Sequence, residues 1–175
     1  MAVYMIADTH FGDDNVRRYE NRPFADAAEM DAALIANWNA AVSDADTVFL
    51  LGDFSAHDAQ HNAELLRSLH GQKHLICGNH DTASDAAYRE MGFSFVSRYP
   101  ILYEGFWLLS HEPLYINRNM PYANIFGHIH LTPAYRTVSP QSFCVSAERI
   151  GYTPVPFSEI VQRVQAAASR EEEEC

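Results

Sequence analysis

Eight side chains able to bind metal ions or move protons occur in five short clusters. These are Asp8 and His10 in "ADTH", Asp53 in "LGDF", Asn79 and His80 in "CGNHD", His111 in "HEP", and His128 and His130 in "GHIH". The set mixes imidazole with oxygen, and no thiolate converges with it. That composition suits divalent first-row ions and not a cysteine-rich structural zinc site. In "DTH" and "HIH" the two donors stand two residues apart, so on extended chain they point to the same side. So many donors exceed what one ion takes. Two ions sharing a bridging carboxylate, about 3.5 to 4 Å apart with a hydroxide between them, is the economical arrangement.

The clusters need elements to bring them together, and the apolar pattern supplies these. "VYMIA", "TVFLL", "HLIC", "FWLLS", "NIF" and "FCVS" read as buried strands. Met30, Leu34, Trp38 and Ala41 recur at helical spacing, as do Leu65, Leu66 and Leu69, and Ile160, Val161, Val164 and Ala168. Strand and helix alternate in the first half, predicting parallel crossovers, while the second half is strands with little helix between them. The expected class is an α/β sandwich. Each cluster follows a predicted strand, at the edge where open α/β sheets bind ligands. Gly52, Gly78 and Gly127 allow the close turns that such an edge needs.

With 175 residues, 47% of them hydrophobic, the chain is one folded domain, expected over 1–168, with an acidic disordered tail at 169–175 ending in "REEEEC". No apolar run reaches the ~20 residues of a membrane span, and the opening meets Asp8 too early for a signal peptide. A cytoplasmic protein without membrane contact is expected, and three cysteines give no disulfide framework. The net charge of −11 argues against general binding to long nucleic acid, which needs Lys and Arg to displace counterions. Carboxylates at a site can instead be there to hold cations.

The ordered series D-x-H, G-D, G-N-H-D, H, G-H-x-H resembles the calcineurin-like metallophosphoesterases. "DTHFG", "NRPF", "NWN", "LGDF" and "YTPV" together look like the small, cap-less bacterial and phage phosphoesterases of that superfamily. The resemblance implies a four-layer α-β-β-α sandwich, two mixed sheets flanked by helices. It also implies two divalent metal ions, manganese first, with iron, zinc, nickel, cobalt or magnesium as alternatives. Asp8, His10 and His130 would hold the first, Asn79, His111 and His128 the second, and Asp53 would bridge them. His80 would face the phosphate, while the bridging hydroxide attacks in line.

Two departures narrow the activity. Protein Ser/Thr phosphatases of the superfamily carry "GDxVDRG", with an Asp that orients the histidine and an Arg that grips phosphate. Here Ala56 and His57 occupy those places, so a phosphoprotein phosphatase is not expected. Close relatives of the small group often have His after "DTHFG", where this chain has Asp13. Small, nucleotide-like phosphodiesters and phosphomonoesters are the expected substrates. Asn15, Arg17, Arg18 and Arg118 are candidate substrate contacts, with Tyr115 and Tyr122 as stacking faces. The alternative is a catalytically weak binding module on the same fold. His57, His61, His70 and His74 read as surface residues, Asp26 and Asp58 as helix starts, and Asp81 as a support or a cap.

Overall fold

The computed structural model describes residues 1–117, 119–132 and 141–173. Its larger sheet contains β1 (Val3–Ile6), β2 (Thr47–Leu50), β3 (Gln72–Ile76) and β4 (Phe95–Ser97), with β9 (Val155–Pro156) at one edge, in the order β4-β3-β2-β1-β9. The first four strands are parallel and β9 is antiparallel to β1. The smaller sheet has the order β5-β6-β7-β8, from β5 (Ile101–Tyr103), β6 (Trp107–Leu109), β7 (Ala123–Phe126) and β8 (Ser142–Cys144). There β6, β7 and β8 are parallel and β5 is antiparallel. This is the expected sandwich class, two mixed sheets flanked by helices.

Alternation along the strands makes two cores. Ile6, Val48, Leu50, Leu75 and Val96 turn to one face of the larger sheet, where they meet α2 (Ala27–Ala41), α3 (Ala59–Ser68) and α4 (Asp85–Met91). From α2 come Met30, Leu34 and Trp38, the spacing read as helical. Each fully buried side chain of this size stabilises the fold by about 1.5–3 kcal/mol. Met5, Ala7, Phe49 and Leu51 turn to the opposite face and meet Trp107, Leu109, Ala123 and Ile125 of the smaller sheet. Ile160 and Val164 of α5 (Phe157–Glu173) join this second core.

Local chemistry sets the helix starts. Asp26 accepts from Glu29 N at 2.8 Å and Asp58 from His61 N at 2.9 Å, so both expected caps form. Short elements escaped the pattern: β4, β5 and β9 are only two or three residues long, α1 (Asp14–Tyr19) has six, and a 3-10 turn spans Ala147–Ile150. Elements that short show too little periodicity to read. The final helix runs to Glu173, past the boundary expected at 168. Arg and Glu are strong helix formers, which suits the continuation of the helix through the charged run. Residues 174 and 175 lie outside the described residues.

Register aligns the functional edge. Ile6 pairs with Leu50 and Leu50 with Leu75, so β1 and β2 end level and β3 runs one residue further. An isolated parallel bridge, Ala7 to Ser146, then joins the end of β1 to the chain leaving β8. Ala7 N donates to Val145 O at 2.9 Å and Ala147 N to Ala7 O at 3.0 Å. The carboxyl edges of the two sheets therefore meet at one place. No helix among the described residues is long and apolar enough to cross a membrane.

Candidate metal centre

All five clusters fall on that shared edge. Asp8 and His10 follow β1, Asp53 follows β2, Asn79 and His80 follow β3, His111 follows β6, and His128 and His130 follow β7. The backbone there is unusual. Asp8 (φ 57°), His10 (48°), Asp53 (55°), His128 (71°) and His130 (45°) all take left-handed conformations. Such residues cost about 1–3 kcal/mol each and persist only where their surroundings hold them. The hold is visible: Asp8 N donates to Gly52 O at 2.9 Å and His10 N to Asp53 O at 3.0 Å.

Asp8, His10 and His130 bring one donor atom each within 4.8 Å of one another. The Asp8 carboxylate is buried, and it accepts His128 N at 3.0 Å on Oδ1 and 2.8 Å on Oδ2. The His10 and His130 rings stack, with centroids 5.4 Å apart. Burial drives His10 down to about 3 against the pull of Asp53, so the ring is neutral. Its Nε2 is buried without a hydrogen-bond partner. An unpaired, buried lone pair of this kind is a ready metal donor.

Asp53, His111 and His128 make a second group of donor atoms within 4.8 Å. Asn79 Oδ1 lies 2.9 Å from His111 Nε2 and 3.0 Å from His128 Nδ1, and those two nitrogens are 3.1 Å apart. His111 Nδ1 is 2.8 Å from Leu51 O, a carbonyl that can only accept, so Nδ1 carries the proton and Nε2 faces the cluster. Burial works against charging His111, but Asp53 outweighs it and holds the imidazole up at about 9. Metal binding there would displace a proton.

Asp53 stands between the two groups. Its Oδ2 is 3.5 Å from His10 Nε2 and 3.4 Å from His111 Nε2, while its Oδ1 accepts His80 N at 2.9 Å. Burial would raise this carboxyl, but His111 outweighs it and brings the group down to about 2. Asp81 fixes the surrounding loops: it accepts from Asp53 N at 2.8 Å, Gly78 N at 2.8 Å and Phe54 N at 3.1 Å. It is thus a support between the loops after β2 and β3, and Ser84 caps the next helix instead. Glycine is required where these loops meet. A Cβ on Gly78 would lie 2.2 Å from Asp53 Oδ1 and 2.8 Å from His111 Cε1.

His80 is exposed, with its ring edge-on to His10 at 5.2 Å between centroids. Asp13 caps α1 and lies 3.8 Å from His10 Nδ1. Of the candidate substrate contacts, the three described, Asn15, Arg17 and Arg18, lie on α1 and belong to neither donor group. Arg17 is engaged by Asp14 at 2.6 Å and by Phe24 O at 2.8 Å; Arg18 also pairs with Asp14. Asn15, Arg18 and Tyr19 line a separate surface depression. Tyr115 is exposed, and Arg118 lies outside the described residues. A cavity of about 290 Å³ opens beside the second group, lined by Asn79, His111, Arg98, Tyr99 and Glu112 among others.

The structure also corrects two readings. His57 is not a free surface ring, because its Nε2 lies 2.7 Å from Asp31 Oδ2, and Asp31 in turn accepts Gly12 N at 2.8 Å. His74 packs between Phe49 and Phe95. Two residues with buried side chains at the site were not singled out from the sequence: Glu148, 2.9 Å from His130 Nδ1, and Arg22 of "NRPF", which pairs with Glu148 at 2.7 Å. Helical spacing could not flag Glu148, since it sits in a single turn, Ala147–Ile150.

The buried Asp8 carboxylate gives a stability prediction. Burial raises Asp8 to about 6 from an ordinary 3.8. Because the unfolded chain releases this proton more readily, the metal-free fold loses stability as pH rises from about 4 to about 6, and it stays penalised above. Asp8→Asn keeps an acceptor for His128 N–H and removes the charge. In excess chelator at pH 8 it is expected to be more stable than the parent by about 1–3 kcal/mol, with the gain vanishing near pH 4. Paired thermal melts at the two pH values check this.

Comparison with known proteins adds relatives to this geometry. No protein-family model matches the chain. The uncharacterised protein MJ1445 of Methanocaldococcus jannaschii is 36% identical over 172 residues, which cover 93% of this chain and 91% of the relative. The chain belongs to the MJ1445 family. A Mycobacterium phage L5 protein, the product of its gene 66, is 36% identical over 83 residues, 45% of this chain and 39% of its own length. Among solved structures, a protein of unknown function from Aquifex aeolicus superposes with a TM-score of 0.71 at 23% identity, covering 92% of this chain and 98% of that one. The Pseudomonas putida nuclease MPE superposes with a TM-score of 0.51 at 22% identity, covering 73% of this chain and 61% of the nuclease. These two likenesses concern the fold.

Proposed function

We propose that this member of the MJ1445 family is a metal-dependent phosphoesterase of the calcineurin-like superfamily, acting on small phosphodiesters. The observation that carries the reading is the position of Asp53 Oδ2, 3.5 Å from a nitrogen of one donor group and 3.4 Å from a nitrogen of the other. A carboxylate between two sets of imidazoles is what a pair of cations requires, and the unpartnered His10 Nε2 fits a metal better than any protein group. Asp8, His10 and His130 would hold one cation, Asn79, His111 and His128 the other, with Asp53 shared. Bound divalent ions supply charge neutralisation for the phosphoryl oxygens and a water acidic enough to attack near neutral pH.

The protein's own groups do the rest. His80 projects from the exposed rim beside His10 and is free to donate a proton to the leaving oxygen. Its backbone N–H on Asp53 Oδ1 ties the position of that ring to the bridging carboxylate. Asp81 holds both loops in register. Engagement of His57 by Asp31 removes the one basic side chain at the place where phosphoprotein phosphatases carry their Arg. The superposed nuclease makes phosphodiester cleavage the natural activity to test first. A charge of −11 favours small substrates over long polymers.

Purified protein saturated with Mn is expected to bind two ions per chain and to hydrolyse a chromogenic bis-phosphodiester, with activity lost in chelator and regained on adding metal. Only trace metal at saturation would exclude this function. A screen of metals against linear and 2′,3′-cyclic nucleotides, dinucleotides and simple monoesters then identifies the substrate class.

A further inference from the structure

Behind the first donor group lies an ion pair that the proposed chemistry does not use. Arg22 has a fully buried side chain and Glu148 leaves 1% of its side chain exposed. Arg22 Nε and Nη2 both reach Glu148 Oε1, at 2.8 and 2.7 Å, and His130 Nδ1 lies 2.9 Å from the same oxygen. Nη2 also donates to Asp8 O at 2.6 Å, and Nη1 donates to Thr9 O at 2.8 Å. One buried pair therefore touches the backbone of Asp8 and the ring of His130, two of the three residues in that group.

The sequence motifs without a role in the chemistry converge on this pair. Arg22 and Phe24 belong to "NRPF"; the Arg22 guanidinium lies over the Tyr152 ring at 5.8 Å, and Phe24 meets that ring edge-on at 5.0 Å. Tyr152 opens "YTPV", and its carbonyl accepts Asn37 Nδ2 of "NWN" at 3.2 Å. The rest of "NWN" binds the turn before β3, through Trp38 Nε1 to His70 O at 3.0 Å and Asn39 Nδ2 to Ser68 O at 2.8 Å. Tyr152 thus packs on the buried guanidinium, and Phe24 and Asn37 hold Tyr152.

We propose that Glu148 is a positioning residue: anchored by Arg22, it accepts the Nδ1 proton of His130 and turns Nε2 toward Asp8 and His10, so that it governs occupancy of that half of the metal centre. The inference rests on the metal-dependent reading above. Charge placed behind a ligand imidazole fixes its tautomer and raises its basicity, and losing such a partner typically costs 10- to 100-fold in metal affinity. The second half is braced differently: His111 Nδ1 donates to the Leu51 carbonyl at 2.8 Å, with the Asp8 carboxylate farther off at 3.8 Å, and Asn79 is neutral. The two halves should therefore differ in affinity, and Glu148 should act on one alone. Glu20 also brings a carboxylate within 4.8 Å of His130 and Glu148. Because Arg22 already neutralises Glu148, that trio is a weaker cation site, and Glu148 acts through the ring.

The test combines Mn²⁺ equilibrium dialysis with ¹⁵N spectra of the His130 ring in metal-free protein, for the parent, Glu148→Ala and Glu148→Gln. Expected for the parent are two bound ions and, at a pH high enough to neutralise the ring that, against burial, Glu148 and Asp8 hold above its ordinary value, a His130 protonated at Nδ1. Glu148→Ala should lose one ion, with affinity reduced about 100-fold, and shift His130 toward the Nε2-protonated form. Glu148→Gln keeps the volume and an acceptor, so it should retain the Nδ1 tautomer and lose about 10-fold. Should the alanine variant not fold, the glutamine variant decides: parental affinity for both ions would overturn the proposal. So would a folded Glu148→Ala with two ions and an unchanged tautomer. A parent that binds no metal at saturation would instead refute the metal-dependent function itself, while the tautomer comparison would still decide whether Glu148 orients the ring.

Discussion

Replacing Asp53 by Asn is expected to empty both halves of the metal centre and lower phosphodiesterase activity by about 10³-fold or more, the scale on which a principal electrostatic element is missed. The reason lies in the two oxygens. Oδ1 accepts the His80 N–H at 2.9 Å, so the Asn oxygen must stay on that side. The amide NH₂ is then forced into the place of Oδ2, between His10 Nε2 and His111 Nε2. Hydrogens would point where cations should bind, and the negative charge shared by both would be gone. Metal analysis by mass spectrometry, beside the rate, checks both effects.

The same variant carries a pH signature without metal. His111 is held up at about 9 in the fold against an ordinary 6.5, with Asp53 overcoming the cost of burial. A histidine raised in this way contributes stability that is fully present below about pH 6.5 and lost as pH rises through about 9. Asp53, depressed to about 2, contributes above about pH 4. In chelator, Asp53→Asn should therefore be most destabilised between about pH 4 and 6.5 and should approach the parent above about 9. Melts across that range give the sign directly; a constant deficit from pH 5 to 10 would mean that the pair does not form.

His80→Ala is the second large effect, and it separates chemistry from metal binding. The ring is exposed and belongs to neither donor group, while the backbone N–H that braces Asp53 survives the substitution. Both ions should remain at parental affinity, and the rate should fall by about 10²- to 10⁴-fold, the usual worth of a positioned proton donor. A proton donor matters most for a poor leaving group. The loss should accordingly be smaller for a nitrophenyl ester than for a nucleotide, whose alkoxide needs the proton. Equal losses on both would assign His80 to phosphate binding, and unchanged turnover would remove it from the mechanism.

Much of this centre was legible before any fold was known. Donor types, their order along the chain and their position just after apolar runs are local properties. In a sheet with parallel strands, local properties at several strand ends become one site. Asp26 and Asp58 as caps, and Met30, Leu34 and Trp38 as a buried helix face, were legible for the same reason. His57 was not, because its partner Asp31 lies 26 positions away.

What only the tertiary structure decided is which long-range partners hold the donors. The Ala7 to Ser146 bridge brings the two sheet edges together, Asp81 ties Asp53 to Gly78 through backbone N–H groups, and Arg22 meets Glu148 across 126 positions. Single-residue contacts of this kind leave no period and no spacing in the sequence, because the geometry that creates them exists only after the sheets have packed. The sequence by itself determined which donor types are available and in what order; packing determined where they meet and which backbones are strained there.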